Sequence, residues 1–275
     1  MNADRPPDAD RPPEGVPREM PLGGGQASAP VLRVDKLAKA FGGVDAVRGV
    51  SFTVRAGELV ALIGPNGAGK TTCFNLVNGQ LRPDAGTVTL SGSRIDGMPP
   101  RVISRMGVGR TFQVAALFAS MTVRENVQLA LLARAGGHRA ITARATDCLR
   151  GGADALLERV RMSDFAGQGC ATLAYGNAKR VELALALAAK PRLLLMDEPT
   201  AGMSPRSRGR LMQLAADVAR EQRIAVLFTE HDMDVVFGYA DRVIVLDRGH
   251  VIADGLPEAI RANAKVQAVY LGERE

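Results

Sequence analysis

The chain changes character near residue 30. Before that point large apolar residues are almost absent, seven of the 15 prolines are gathered, and three glycines run together at Gly23-Gly24-Gly25. Such a stretch buries too little apolar surface to fold, so residues 1–30 are expected to be a disordered tail. From Val31 the pattern VLRVDKLAKAF alternates as a strand with one buried face does, and VDAVRGVSFTV reads the same way. Further on, short runs are apolar throughout: LVALI from Leu59, LLLM from Leu193 and IAVLF from Ile224. Continuous runs of this length predict strands buried on both faces.

Helical patterns fill the spaces between. A helix follows Lys70 through Phe74 and Val77, with Gly79 as its C-cap. Thr122-Val-Arg-Glu125 is a capping box, so a helix starts near Val123 and stops at Gly136-Gly137. His138 to about Met162 reads as helix broken at Gly151-Gly152. A long helix opens at Gly176-Asn177 and ends before Pro191; another covers roughly 205–222, and short ones are expected at Pro257–Arg261 and at the C-terminus. Strands alternating with helices imply an α/β fold with a largely parallel sheet. The pieces at 31–60 and 85–92 suggest an attached antiparallel β layer, and the helices between about 115 and 188 a small inserted helical subdomain.

The apolar run at Leu59 leads into chemistry. Gly64-Pro65-Asn66-Gly67-Ala68-Gly69 is followed by Lys70, Thr71 and Thr72, the phosphate-binding pattern G-x-x-x-x-G-K-[ST] between a buried strand and a helix. The glycines let the backbone bend tightly and turn its N–H groups inward, and a helix N-terminus stands behind them. Lys70 can reach β- and γ-phosphates, and the Thr71 hydroxyl can ligate Mg²⁺. A bound nucleoside triphosphate is therefore expected.

Composition narrows the setting. At 275 residues the chain is long enough for one large domain with a full core. No run of about 18 apolar residues predicts a membrane span, and no secretory signal is visible. The three cysteines, Cys73, Cys148 and Cys170, are not spaced as metal ligands and suit a reducing cytosol. The net charge of +6 comes without a long basic run and with few aromatics, so nucleic acid is not expected and a solvated basic surface is.

Further candidates stand at strand ends. Asp197-Glu198 follow LLLM, where carboxylates beside a P-loop are expected to serve Mg²⁺ and water. His231 follows IAVLFTE, at the same edge of a parallel sheet. Phe41, upstream of the P-loop, can stack on a purine ring or pack in a core, and its position leaves both readings open. Gln113 lies between apolar pieces and is unremarkable by itself.

The P-loop, Gln113, the helix start LAYGN, LLLMDEP and His231, in this order and spacing, resemble the ATP-binding subunits of ABC transporters over about 31–274. GPNGAGKTTCFN, RTFQ, MTVRENV, LAYG, TEHDM and VYLGE are most similar to those of branched-chain amino-acid importers. The resemblance implies a RecA-like P-loop NTPase core, ATP hydrolysis and Mg²⁺. It implies that Phe41 stacks on adenine, Gly64 to Thr72 cradle the phosphates, and Gln113 touches Mg²⁺ or the attacking water. Asp197 would support Mg²⁺, Glu198 would be the general base and His231 would contact the γ-phosphate. Leu173, Ala174, Tyr175, Gly176 and Asn177 would form the signature that closes over ATP held by a second ATP-binding subunit, identical or homologous. Ala201 to Ser204 would cross that dimer interface. The family's general signature is LSGGQ; here Ala174 replaces its serine and Asn177 its glutamine.

The same resemblance implies two transmembrane permease subunits, a solute-binding protein beyond them, and a peripheral position on the cytoplasmic face of the inner membrane. Alternatives stay open: an importer for urea or another amino acid, a lipopolysaccharide-export-type ATPase, a soluble ABC ATPase acting on nucleic acid or ribosomes, and a nucleotide switch without turnover.

Overall fold

The computed structural model describes residues 29–111, 117–134 and 143–271. Most of the tail, Gln113 and the last four residues lie outside the described residues. The chain forms β1 (Leu32–Phe41), β2 (Val44–Val54), β3 (Leu59–Ile63), α1 (Lys70–Val77), β4 (Ala85–Leu90), β5 (Ser93–Arg94), α2 (Pro100–Arg105) and β6 (Val108–Thr111). Then come α3 (Val123–Arg134), α4 (Ala143–Arg159), α5 (Tyr175–Ala188), β7 (Leu193–Asp197), α6 (Pro205–Gln222) and β8 (Ala225–Thr229). The last elements are α7 (Met233–Tyr239), β9 (Arg242–Asp247), β10 (His250–Gly255), α8 (Pro257–Arg261) and α9 (Ala264–Leu271).

Two sheets result. One is antiparallel, in the order β2-β1-β4-β5; the other runs β10-β9-β3-β8-β7-β6, parallel from β9 to β6 with β10 antiparallel at its edge. The alternation read from the sequence appears in β1, where Leu32 and Val34 are buried and Arg33 and Asp35 exposed. The continuously apolar runs sort by the two-residue period of a strand into two cores. Leu59, Ala61, Ile63, Leu194, Met196, Val226 and Phe228 face α3 to α6. Val60, Leu62, Leu193, Leu195, Ala225 and Leu227 face α1 and the antiparallel sheet.

The capping box forms as its residues dictate. Thr122 N donates to Glu125 Oε2 at 2.7 Å, Glu125 N donates back to Thr122 Oγ1 at 3.2 Å, and α3 begins at Val123. The expected break at Gly151-Gly152 does not occur: α4 runs through both. Each glycine costs about 1 kcal/mol in a helix, but Ala153 and Leu157 are fully buried on the same helix. Gly152 also faces α3 closely, since a Cβ there would lie 3.3 Å from Leu131 Cδ1. Packing overrides propensity, and the glycine lets the two helices approach. Strand β6 and helices α2 and α7, of 4, 6 and 7 residues, are too short for a period to show in the sequence.

Arg242 joins the elements around β3. At the start of β9 its Nε donates to Glu58 Oε1 at 2.8 Å, its Nη1 to Asp254 Oδ1 and Oδ2 at 2.8 and 2.9 Å, and its Nη2 to Thr53 O. Burial acts to lower its pKa, but hydrogen bonds and charge from Glu58 and Asp254 raise it. Arg242→Ala is expected to lower the unfolding free energy by about 2 kcal/mol, less than for a fully buried pair because the site is partly exposed. Urea denaturation checks this, and a loss below about 0.5 kcal/mol, the ordinary range for surface substitutions, contradicts it.

Candidate functional site

In a parallel sheet the carboxyl ends of the strands share one edge, and loops leaving it converge. Here that edge carries the loop after β3, the end of β6, Asp197 at the end of β7 with Glu198 after it, and Glu230-His231 after β8.

The loop Gly64–Gly69 is shaped by what lies behind it. Gly64 has φ 152°, and a Cβ there would sit 2.2 Å from Leu246 O; Gly69 has φ 103°, with a Cβ 2.4 Å from Ala46 O. Neither position has room for a side chain. Ala68 O accepts from Gly249 N at 3.1 Å, and Gly249 O accepts from Arg48 N at 2.8 Å, so the β9–β10 turn and β2 back the loop. Lys70 opens α1 and is nearly buried; its Nζ donates to Gly64 O at 2.6 Å and Pro65 O at 3.0 Å. Thr71 is exposed in the first turn, and Thr72 partly so. Pro65, Asn66, Gly67 and Ala68 border a cavity of about 510 Å³ whose far wall includes Arg248 and Lys265. A cavity of about 610 Å³ between α3, α4 and α5 lies near the opposite ends of β7 and β8, away from this chemistry.

The carboxylates are fixed from both neighbouring strands. Thr229 stands beside Asp197 in register, and its Oγ1 donates to Asp197 Oδ1 at 2.8 Å. Arg110 Nη2 donates to Asp197 Oδ2 at 3.1 Å. Glu198 has φ 45°, a left-handed conformation that costs about 1–2 kcal/mol for a residue with a Cβ. Its N–H donates to Thr229 O at 3.2 Å and Oγ1 at 3.1 Å. The strained backbone aims its side chain at His231, with Nε2 and Oε1 2.9 Å apart. Glu230, buried, accepts from Thr200 N and Oγ1 at 2.9 and 2.7 Å and ties the loop after β7 to the end of β8.

Phe41 ends β1 and is 45% exposed, with Lys39 Nζ 5.6 Å from its ring centroid. It is not a core residue. Leu173 to Asn177 turn into α5: Ala174 is its N-cap, with no side-chain hydrogen bond, and Ala174 O accepts from Asn177 N at 2.9 Å. Tyr175 is 46% exposed and lies against Gly202; Gly176 faces Met203 and Ser207. Among the described residues, no hydrogen bond joins this segment to the P-loop. Sequence reasoning missed Arg110, Thr229 and Glu230. A charged Arg110 in the short VGRT stretch was the available signal for the first; the other two are visible only once strand neighbours are known.

Residues 47–201, over half of the chain, match the family model described as ABC transporter. This chain belongs to the ABC transporter ATPases. Within it, residues 250–275 match the model described as branched-chain amino acid ATP-binding cassette transporter. The cassette is 40% identical over 257 residues to the high-affinity branched-chain amino acid transport ATP-binding protein LivG of Salmonella typhimurium, covering 90% of this chain and 99% of that protein. It resembles the solved ADP conformation of MJ1267, an ATP-binding cassette of an ABC transporter, with TM-score 0.78 and 28% identity, covering 89% of this chain and all of that one. It also resembles the dimeric post-hydrolysis state of the cassette MJ0796 bound to ADP and Pi, with TM-score 0.69 and 26% identity over 82% of this chain and 98% of that one. The family expected from the motifs is the family these comparisons give.

Two outcomes follow from the loop. Gly69→Ala forces the loop off Ala46 and is expected to weaken ATP binding at least about tenfold, the scale on which small misplacements act at a site; titration with a fluorescent ATP analogue checks it, and wild-type affinity contradicts it. Burial pushes the Cys73 thiol up to about 12, so the reactive thiolate is scarce. Native protein treated with N-ethylmaleimide at about pH 8 is expected to leave Cys73 unmodified until unfolded, as peptide mapping reads; rapid native labelling contradicts the assignment.

Proposed function

We propose that the cassette is the ATP-hydrolysing subunit of an importer for branched-chain amino acids. The observation that carries the hydrolytic part is the Glu198–His231 pair, 2.9 Å apart at the strand edge it shares with the P-loop. The import assignment is supported by the match over 250–275 and by the name of the 40% identical relative.

In this reading the Gly64–Gly69 N–H groups, Lys70, Thr71 and Thr72 hold the phosphates, and the exposed Phe41 ring stacks on adenine. Thr71 and Asp197 fit Mg²⁺: they are hard oxygen donors, and no group of three or more His, Cys, Asp or Glu is assembled among the described residues. Mg²⁺ characteristically takes few protein ligands and completes its shell with water and phosphate oxygens. When bound it neutralises charge on the phosphates. Glu198 is the base that orients and deprotonates the attacking water, and His231 holds that carboxylate while reaching the γ-phosphate. Catalysis is positioning plus charge neutralisation. Gln113 keeps its role toward Mg²⁺ or water on its motif alone.

Ala174 to Asn177 cover ATP held by a second ATP-binding subunit, through the N–H groups at the start of α5. No helix among the described residues is long and apolar enough to cross a membrane. In this reading two permease subunits form the path, a solute-binding protein delivers to them, and the cassette sits peripherally on their cytoplasmic side, as the names of its relatives support. One observation favours a nucleotide switch instead: Ala174 has no hydroxyl and caps α5 without a side-chain bond.

Phosphate release from the assembled complex separates the two. Wild type is expected to turn over and to be stimulated by binding protein loaded with leucine, isoleucine or valine. Glu198→Gln should bind ATP normally and lose about 10²–10⁴-fold in rate, the usual worth of a general base. Absence of turnover in wild type, or undiminished turnover in Glu198→Gln, overturns this reading.

A further inference from the structure

Arg110 reaches three parts of the fold from one guanidinium. It stands in β6 beside Leu195, two residues short of Asp197, and is mostly buried. Nη2 donates to Asp197 Oδ2 at 3.1 Å. Nη1 donates to Asn75 Oδ1 in α1 at 3.0 Å and to Gln80 Oε1 just beyond that helix at 2.8 Å. Asn75 lies four residues after Thr71, one turn along the same face of α1. Thr229 already fixes Asp197 within the sheet. Arg110 adds a connection from that carboxylate to the helix whose first turn carries Lys70 and Thr71.

We propose that Arg110 is a positioning residue for Mg²⁺: by tying Asp197 to Asn75 and Gln80, it sets the separation between the Thr71 hydroxyl and the Asp197 carboxylate. This rests on the Mg²⁺–ATP reading above. A guanidinium at this place also repels a cation and neutralises the carboxylate, both of which weaken metal binding. The geometry shows which effect the side chain is arranged for. Charge compensation needs only the contact to Asp197, whereas Nη1 is committed to two neutral amides that add no charge and fix position. Partners behind a metal ligand characteristically act through its orientation.

The test is titration of full-length protein with mant-ATP, in excess EDTA and across a range of Mg²⁺ concentrations. Arg110→Gln is expected to bind mant-ATP as wild type does in EDTA, because the loop N–H groups and Lys70 are untouched. It should need about tenfold more Mg²⁺ to reach half of the metal-dependent gain in affinity. Arg110→Lys keeps the charge but not the fork and should shift the same way. Asn75→Ala combined with Gln80→Ala leaves the Arg110–Asp197 pair in place, changes only side chains that are not fully buried, and should also raise the Mg²⁺ requirement; it carries the test if the Arg110 variants fail to fold. An unchanged or lowered requirement overturns the proposal, as does full rescue by lysine or an equal loss in EDTA. If wild type itself gains nothing from Mg²⁺, the metal reading falls and this inference with it. If wild type gains and the variants gain equally, only the inference fails.

Discussion

The structure depends on β3 being buried on both faces and paired on both edges. Its residues alternate between two apolar cores, and β8 and β9 flank it in parallel register. A strand so enclosed cannot slip by one residue without exchanging its two faces between the cores. The chain that leaves it at Gly64 is therefore delivered to a fixed point. Parallel neighbours bring Asp197 and His231 to the same edge. Behind the turn, Leu246 O and Ala46 O leave no room for a Cβ at Gly64 or Gly69. The packing of the fold by itself requires glycine at both positions.

Around that fixed point the carboxylates are set by a chain of hydrogen bonds. Thr229 takes a hydrogen bond from Glu198 N and gives one to Asp197, so one hydroxyl links two neighbouring acidic residues. The left-handed backbone at Glu198 turns its side chain to His231. Strain of this kind persists only where surrounding structure holds it, and here the Thr229 carbonyl and hydroxyl do so. Glu230 and Thr200 then fasten the next loop, which runs on to Met203 and lies against Tyr175 and Gly176 of the signature. The strand-edge carboxylates are thus connected through the fold to the start of α5.

Local signals were legible where one stretch of sequence contains its own reason. The capping box at Thr122–Glu125 and the helix expected over roughly 205–222 formed where the sequence places them. The P-loop was legible because strand, glycines and lysine are contiguous. What was hidden depends on distant partners. Gly151-Gly152 read as a break because glycine propensity is local, whereas the burial of Ala153 and Leu157 that carries α4 through is not. Phe41 could not be assigned to core or surface until β1 ended with its ring exposed. Thr229 and Arg110 became part of the site only when β8 and β6 proved to be the neighbours of β7.

We propose that hydrolysis at Glu198 drives import of branched-chain amino acids. The most direct test is uptake of labelled leucine, isoleucine and valine, beside urea and other amino acids, by cells lacking this gene and any second importer for the three. A selective loss of branched-chain uptake is expected, restored by the wild-type gene and not by Glu198→Gln. Branched-chain uptake that is unchanged in those cells, or restored equally by Glu198→Gln, would contradict it.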